Sequence, residues 1–404
     1  MNKLIKLLLG IIVFSIYTIT QEPIYADSVD TVTPLSIIKE QVNAENQKDT
    51  AKMTKIWTTE TSPLIKQVHH HGHSHGEEGE QATKAGINTI ENAKIIDSKP
   101  LPDELATSIS NFSYYESRYG KENVKPYYVA VDYKVKQESD FYQNGVNYFL
   151  AIVVKEDDEW KMAEFSVAPV DLISKNDEGF NTEDEKKVIE LQKKRVFGGA
   201  VTNQQGELLF YNTPSEYIHQ GAPHHHMAKR LRTPPKVIKV LITNKHNGKK
   251  GTVQEIDFND YIKNVLPNEW DLSSKDEALK AGALAVKMYG WYYTKYPGLP
   301  LVGAHVRDNT TYQVWVKNTE EEKTKITNPH IESLKNIGFY SEKLDNLFAP
   351  QYRRNSKDWK GSGCMPQIGT MRLAGNGKNF KEILSWYYDN SKELKNGKMI
   401  YFNY

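Results

Sequence analysis

Histidine is the first residue type whose placement invites chemistry. His69, His70, His71, His73 and His75 fall in the segment HHHGHSHGEEGE, residues 69 to 80, and His224, His225 and His226 form a second cluster. Neutral imidazoles bind Zn²⁺, Ni²⁺ or Cu²⁺. A dedicated site asks for more, because this spacing fixes no tetrahedral geometry and no cysteine or positioned carboxylate joins it. The tract is read as adventitious or buffering metal binding, and no cofactor is expected. Cys364, the single cysteine, excludes an intrachain disulfide framework and multi-cysteine zinc or iron–sulfur sites. No sequence neighbour gives it a base, so it is read as a packing or loop residue. The 24 Tyr and 7 Trp fill cores, and such rings also stack on sugars.

Composition removes several classes. Charge is balanced at 52 Lys+Arg against 51 Asp+Glu, so no bulk basic field points to nucleic acid. A mean hydropathy of -0.63 excludes a polytopic membrane protein. Between Ile218 and Gln254 there is no acidic residue, while Lys229, Arg230, Arg232, Lys236 and Lys239 are present. Such a strip is a solvated face balanced by acids elsewhere, or a surface for anionic wall polymers. Lys3 and Lys6 precede the apolar run Leu7 to Thr20, which is shorter than a spanning helix, and Ile24-Tyr25-Ala26 follows. The expectation is a signal peptide, residues 1–26, cleaved after Ala26, and a secreted or wall-associated protein. An uncleaved membrane anchor is the alternative.

The chain of 404 residues is long enough for two domains. A helix is expected over 34–58, a loop at 69–80 and a second helical piece over Gly86–Ile96. Strands are expected at 126–136, 146–155 and 159–170, with Asp157-Asp158 as a hairpin turn. This describes an α+β accessory domain over 30–175, an antiparallel sheet with helices in an NTF2-like or cystatin-like arrangement, without a catalytic constellation. A connector, 176–232, carries a charged helix at 183–195. A second α+β domain, 233–392, begins with strand 236–243, a turn at Asn247-Gly248 and a second strand over 251–256. Asp257 caps a short helix, 258–266, ended by Pro267. A long helix, 274–293, capped by Ser273 or Ser274, is apolar on nearly every side and therefore central. Phe380, Ile383, Leu384 and Tyr387 share one face of a last helix, and 393–404 is read as a tail.

Three stretches of this second domain resemble one family. FNDYIKNVLPNEW with EALKAGALAVKMYGWYY, DNTTYQVW (308–315), and GSGCMPQIGTMRLAGNGKNFKEILSWYYDN (361–390) are similar, in order, to the stage II sporulation protein D (SpoIID/LytB) domain. The likeness covers about residues 233–392. It departs from the family where zinc-binding relatives carry a His and a Cys, which here are Thr311 and Tyr312. The family's Gly-His-Gly reads Gly361-Ser362-Gly363, and the Ser of its Met-Ser-Gln is Pro366.

Characterised relatives are peptidoglycan lytic transglycosylases or amidase enhancers. The resemblance therefore implies a partner, peptidoglycan glycan strands, and with it a cell-wall amidase as an alternative partner. It also implies one carboxylic acid, because the sugar's own C6 hydroxyl attacks C1 and no second carboxylate is needed. Glu269 is that residue. It follows Pro267 and precedes Trp270, an apolar neighbour that would keep it protonated. Asp308, Tyr312, Gln313, Trp315 and Gln367 are the substrate-binding candidates. In an extended segment Gln313 and Trp315 share a face opposite Tyr312. His305 and Arg307 are weaker candidates. The rival reading is a non-catalytic wall-binding or amidase-enhancing module.

Overall fold

The computed structural model describes residues 32–71, 86–218, 232–355 and 358–404. The expected signal peptide, His73, His75 and the 224–226 cluster lie outside these residues. His69, His70 and His71 end a helix, α3, and their side chains lie outside the description. Contacts gather Pro34–Tyr404 into one compact unit, with a mixed α+β architecture.

The first part is built on an antiparallel meander of β1 (Ile90–Pro100), β2 (Val124–Val135), β3 (Gly145–Glu156) and β4 (Glu159–Val167), in that order. Asp157 and Asp158 join β3 to β4 with φ of 50° and 65°, the left-handed pair that a two-residue hairpin turn requires. In place of one helix over 34–58 there are two, α1 (Pro34–Gln47) and α2 (Thr50–Ile56), followed by α3 (Ser62–His71). Asp49 breaks the run by capping α2 with a side-chain bond to Lys52 N at 2.9 Å. The helical piece expected at Gly86–Ile96 is a 3-10 turn followed by β1. Two register shifts in β1, at Ile90/Asn92 and Ile95/Asp97, break the period-2 alternation that would have announced a strand.

Two short helices, α4 (Asp103–Ile109) and α5 (Phe112–Tyr119), connect β1 to β2. α5 turns Phe112 and Tyr115 into a small satellite core with Ile152, Val154 and Ala163. After α6 (Val170–Ser174), helix α7 (Glu183–Gly198) begins at a Thr182 cap and stops at Gly199, φ +67°. A short hairpin, β5 (Ala200–Thr202) with β6 (Leu208–Tyr211), follows.

The second part opens with β7 (Val237–Leu241) paired antiparallel to β8 (Val253–Asp257). Asp257 caps α8 by accepting from Asn259 N and Asp260 N. This helix, Phe258–Glu269, runs through Pro267 instead of ending there. Proline removes the hydrogen bond to the Lys263 carbonyl in the last turn, while Asn268 Nδ2 adds a side-chain bond to the neighbouring Asn264 carbonyl at 2.8 Å. The central helix α9 (Asp276–Lys295) has buried side chains at nearly every position from Ala278 on, and Lys275 stands at its N-cap without a side-chain bond, in place of the expected serine. Next come β9 (Val306–Arg307), α10 (Glu321–Ser333), β10 (Ile337–Ser341), β11 (Gln351–Arg353), β12 (Cys364–Pro366), α11 (Gln367–Gly375), α12 (Phe380–Tyr388) and β13 (Met399–Asn403). Asn379 and Glu382 form a capping box on α12. The expected tail is structural: β13 pairs antiparallel with β10, and Tyr404 packs edge-on to Trp291 at 5.1 Å.

Among the described residues the parts on either side of the expected connector pack directly on one another. The sheet and α9 share one hydrophobic core. Tyr289 OH donates to Asn111 Oδ1 at 2.9 Å, and Tyr292 OH to the Ile109 carbonyl at 3.0 Å. Val167 N donates to the Pro297 carbonyl at 2.9 Å. Polar ties inside a shared apolar contact leave no gap for an independent hinge.

Candidate active site

A cavity of about 740 Å³ opens between the two parts of the fold, within the ~300–1,000 Å³ range of small-molecule sites. Glu269, the last residue of α8, lies in its wall. Its Oε1 accepts from Val314 N at 2.7 Å and its Oε2 from Gln367 Nε2 at 3.2 Å. Burial pushes the carboxyl above its ordinary range, opposed by these two donors. Beside it, the Trp270 ring lies against Gly282 of α9, where a Cβ would come within 2.6 Å of the indole. Trp270 also stacks obliquely on Tyr352 at 4.9 Å and donates its indole N–H to Thr370 Oγ1 at 3.3 Å. Gly282 is thus the absence of a side chain that lets Trp270 seat next to Glu269.

Gln367 reaches Glu269 through a parallel strand pair. β11 and β12 align Gln351 with Cys364 and Arg353 with Pro366, so α11 starts with Gln367 at the cavity. Arg353, which ends β11, and Arg354, which follows it, add two cations to the lining.

The facing wall comes from α5. Asn111, Tyr114 and Ser117 are spaced by three residues, along one side of a helix, and all line the cavity. Glu60 ties the two walls together. It accepts from Thr311 Oγ1 at 2.9 Å and from Tyr114 OH at 3.2 Å, and pairs with Arg118 at 3.0 Å. None of these N-terminal residues carries a sequence signal for a site.

Of the residues expected from sequence, Glu269, Tyr312 and Gln367 line this cavity together. Gln313 does not reach it. It is fully buried, accepts from Tyr261 OH at 2.9 Å, and donates to the Val286 carbonyl and to Tyr352 OH at 3.2 and 2.8 Å. Its contribution is to fix Tyr352, which does line the cavity. Asp308 is likewise turned away. It gathers Thr243 N, Asn244 N and Asn247 Nδ2 onto its carboxylate and so closes the turn after β7. Trp315 is 4% exposed and fills core. Gln313 and Trp315 point inward, whereas Tyr312 and Val314 line the cavity. His305, completely buried, bonds Asp140 Oδ2 through Nε2 at 3.1 Å, and Arg307 reaches Thr61 Oγ1 at 3.2 Å. Both are ties between the two parts of the chain.

This geometry coincides with a family. The model of the stage II sporulation protein SpoIID matches residues 246–335. This segment is similar to the SpoIID domain. The match contains Glu269, Tyr312 and Val314, while Gln367, α5 and the meander lie outside it. No curated protein matches the chain. The SpoIID domain belongs with the cell-wall biology of sporulation. The residues at the position of the zinc ligands of some relatives do not fit a metal: Thr311 is engaged with Glu60, and burial holds the Tyr312 phenol far above its usual range. Among the described residues no group of three metal-ligating side chains comes together, and no helix is long and apolar enough to cross a membrane.

Proposed function

We propose that this is a secreted or wall-associated lytic transglycosylase that cleaves peptidoglycan glycan strands with Glu269 as its single acid and base. The observation that carries this reading is the seat of Glu269: a buried carboxyl in the wall of a large cleft, raised in pKa by burial and held by two N–H donors, whereas the other carboxyl of the lining, Asp271, is exposed and held below its ordinary range by Ser273. The protonated carboxyl gives its proton to the glycosidic oxygen as the C1–O bond breaks. The C6 hydroxyl oxygen of the same sugar then bonds to C1, and the carboxylate takes that hydroxyl's proton. The products are a 1,6-anhydro end and a free hydroxyl on the departing sugar. The internal nucleophile is already held at high effective concentration, so the step needs no activated water.

Gln367 suits both halves of this cycle. An amide donates its NH₂ to a carboxylate and, turned over, presents its C=O to a carboxylic acid. The lone Val314 N–H keeps the other oxygen in place throughout. Tyr312, Tyr352 and Trp270 supply aromatic surface beside the carboxyl, which suits sugar rings. The test is mass spectrometry of purified peptidoglycan after incubation with the mature protein. Anhydro-sugar ends are the expected product; intact strands that co-sediment with the protein would replace catalysis by the wall-binding reading.

A further inference from the structure

The Glu269 cavity does not end the groove. A second cavity, of about 360 Å³, shares Gln351 and Arg353 with it as lining residues. Its composition differs from that of a core defect. Thr107 and Ser113 enter from α4 and α5, Glu393 from beyond α12, and Trp359 stands at 49% exposure. Hydroxyls, a carboxylate and a guanidinium around one accessible indole are the groups that recognise a sugar: its hydroxyls by hydrogen bonds, its C–H face by the ring.

The place of this second cavity is fixed by the same two elements that build the first. α5 and its N-cap Asn111 send Asn111, Tyr114 and Ser117 to one cavity and Ser113 to the other. On the opposite side, β11 borders both. Gly363, with φ +72°, lies against the Glu393 carboxylate, where any Cβ would overlap it. The glycine therefore leaves the carboxylate room at the second cavity, in the segment where the family has its Gly-His-Gly.

We propose that these two cavities form one extended saccharide groove, with a distal subsite at Trp359 that stacks a sugar ring of the same strand whose scissile bond lies at Glu269. The meander domain, through α4 and α5, is then the second wall of the substrate site and selects long strands over short ones. This rests on the saccharide reading of the Glu269 cleft and adds to it a chain-length requirement that the SpoIID match does not contain.

The test is binding without turnover. Glu269→Gln protein is titrated with β-1,4-linked N-acetylglucosamine oligomers of two to six rings, and wild type is assayed in parallel for anhydro-sugar release from peptidoglycan. Affinity should rise with length by up to roughly tenfold, as one added aromatic stack would provide. Adding Trp359→Ala, which removes a half-exposed side chain, or Ser113→Trp, which fills the subsite from the other wall, should bring the hexamer down to the affinity of the short oligomers, in variants that remain folded at the assay temperature. An undiminished length dependence in both variants overturns the distal subsite while leaving the Glu269 reading intact. Absence of saccharide binding at every length together with absence of anhydro-sugar products removes both.

Discussion

Gln367 Nε2 lies 3.2 Å from Glu269 Oε2, and 98 residues of chain separate the two. The bond exists because α8 ends at Glu269 and α11 begins at Gln367, with β11 and β12 holding the second helix in register. A donor that favours the ionised carboxyl sets the acidity of the group it touches.

Gln367→Leu should therefore shift the pH profile. Loss of the amide removes an interaction that lowers the Glu269 pKa, so burial raises it further. The protonated acid then persists to higher pH, and the alkaline limb of the kcat profile should move upward while kcat itself falls. Gln367→Glu tests the same contact from the other side, since a second carboxyl beside the first also raises the pair. A profile unchanged in position, with only its height reduced, would make Gln367 a substrate contact alone.

Gly282→Ala probes the seat of Trp270. The added methyl would lie 2.6 Å from the indole, a distance that only movement of the ring can relieve. Overpacking of this kind typically destabilises by ~1–3 kcal/mol, read as a lower melting temperature. Activity should fall further than stability accounts for, because Trp270 adjoins Glu269 in the chain and in the cavity. Full activity at wild-type stability would show that the ring has slack.

Much of the sheet was legible because its turns and alternation are local. Asp157-Asp158 marked the β3–β4 hairpin, and Asp257 marked the start of α8. β1 was not, since its bulges scramble the alternation and much of its surface is exposed. At the site, Glu269 and Gln367 belong to short recognisable stretches. Asn111 and Tyr114 do not, because they meet the cleft only through folding: Asn111 and its partner Tyr289 are 178 residues apart. The inward turn of Gln313 and Asp308 was equally hidden. Strand alternation tells which residues share a face, and tertiary packing decides which face meets water.

Glu45 gives a pH dependence away from the cleft. It is completely buried on α1, accepts from Gln41 Nε2 at 2.8 Å and from Tyr133 OH, and burial raises its pKa from 4.5 to about 7. A carboxyl raised on folding contributes its full stability below pH 4.5 and loses it as pH rises through about 7. A shift of that size corresponds to on the order of 3 kcal/mol. Glu45→Gln keeps the shape and can still bond Tyr133, whose hydroxyl both donates and accepts. The variant should match wild type near pH 4 and melt several degrees higher at pH 8.5. A difference independent of pH would mean that Glu45 stays protonated throughout.

Glu269→Gln tests the chemistry itself. The amide keeps the length and reach of the side chain, and its oxygen can still accept from Val314 N. It cannot give a proton to a glycosidic oxygen and then recover one from the C6 hydroxyl. General acid–base catalysis is typically worth ~10²–10⁴-fold, so release of anhydro-sugar ends should fall to background. Stability should rise slightly or hold at neutral pH, because a carboxyl whose pKa is raised by burial is penalised there and an amide is not. Binding of intact peptidoglycan should persist, since the walls formed by α5, Tyr352 and Trp270 are untouched. Two readouts separate the alternatives. A melting temperature many degrees lower would make Glu269 a tie between α8 and the Val314 backbone rather than an acid. Undiminished release of anhydro ends from a stable variant would place the proton donor elsewhere in the cleft.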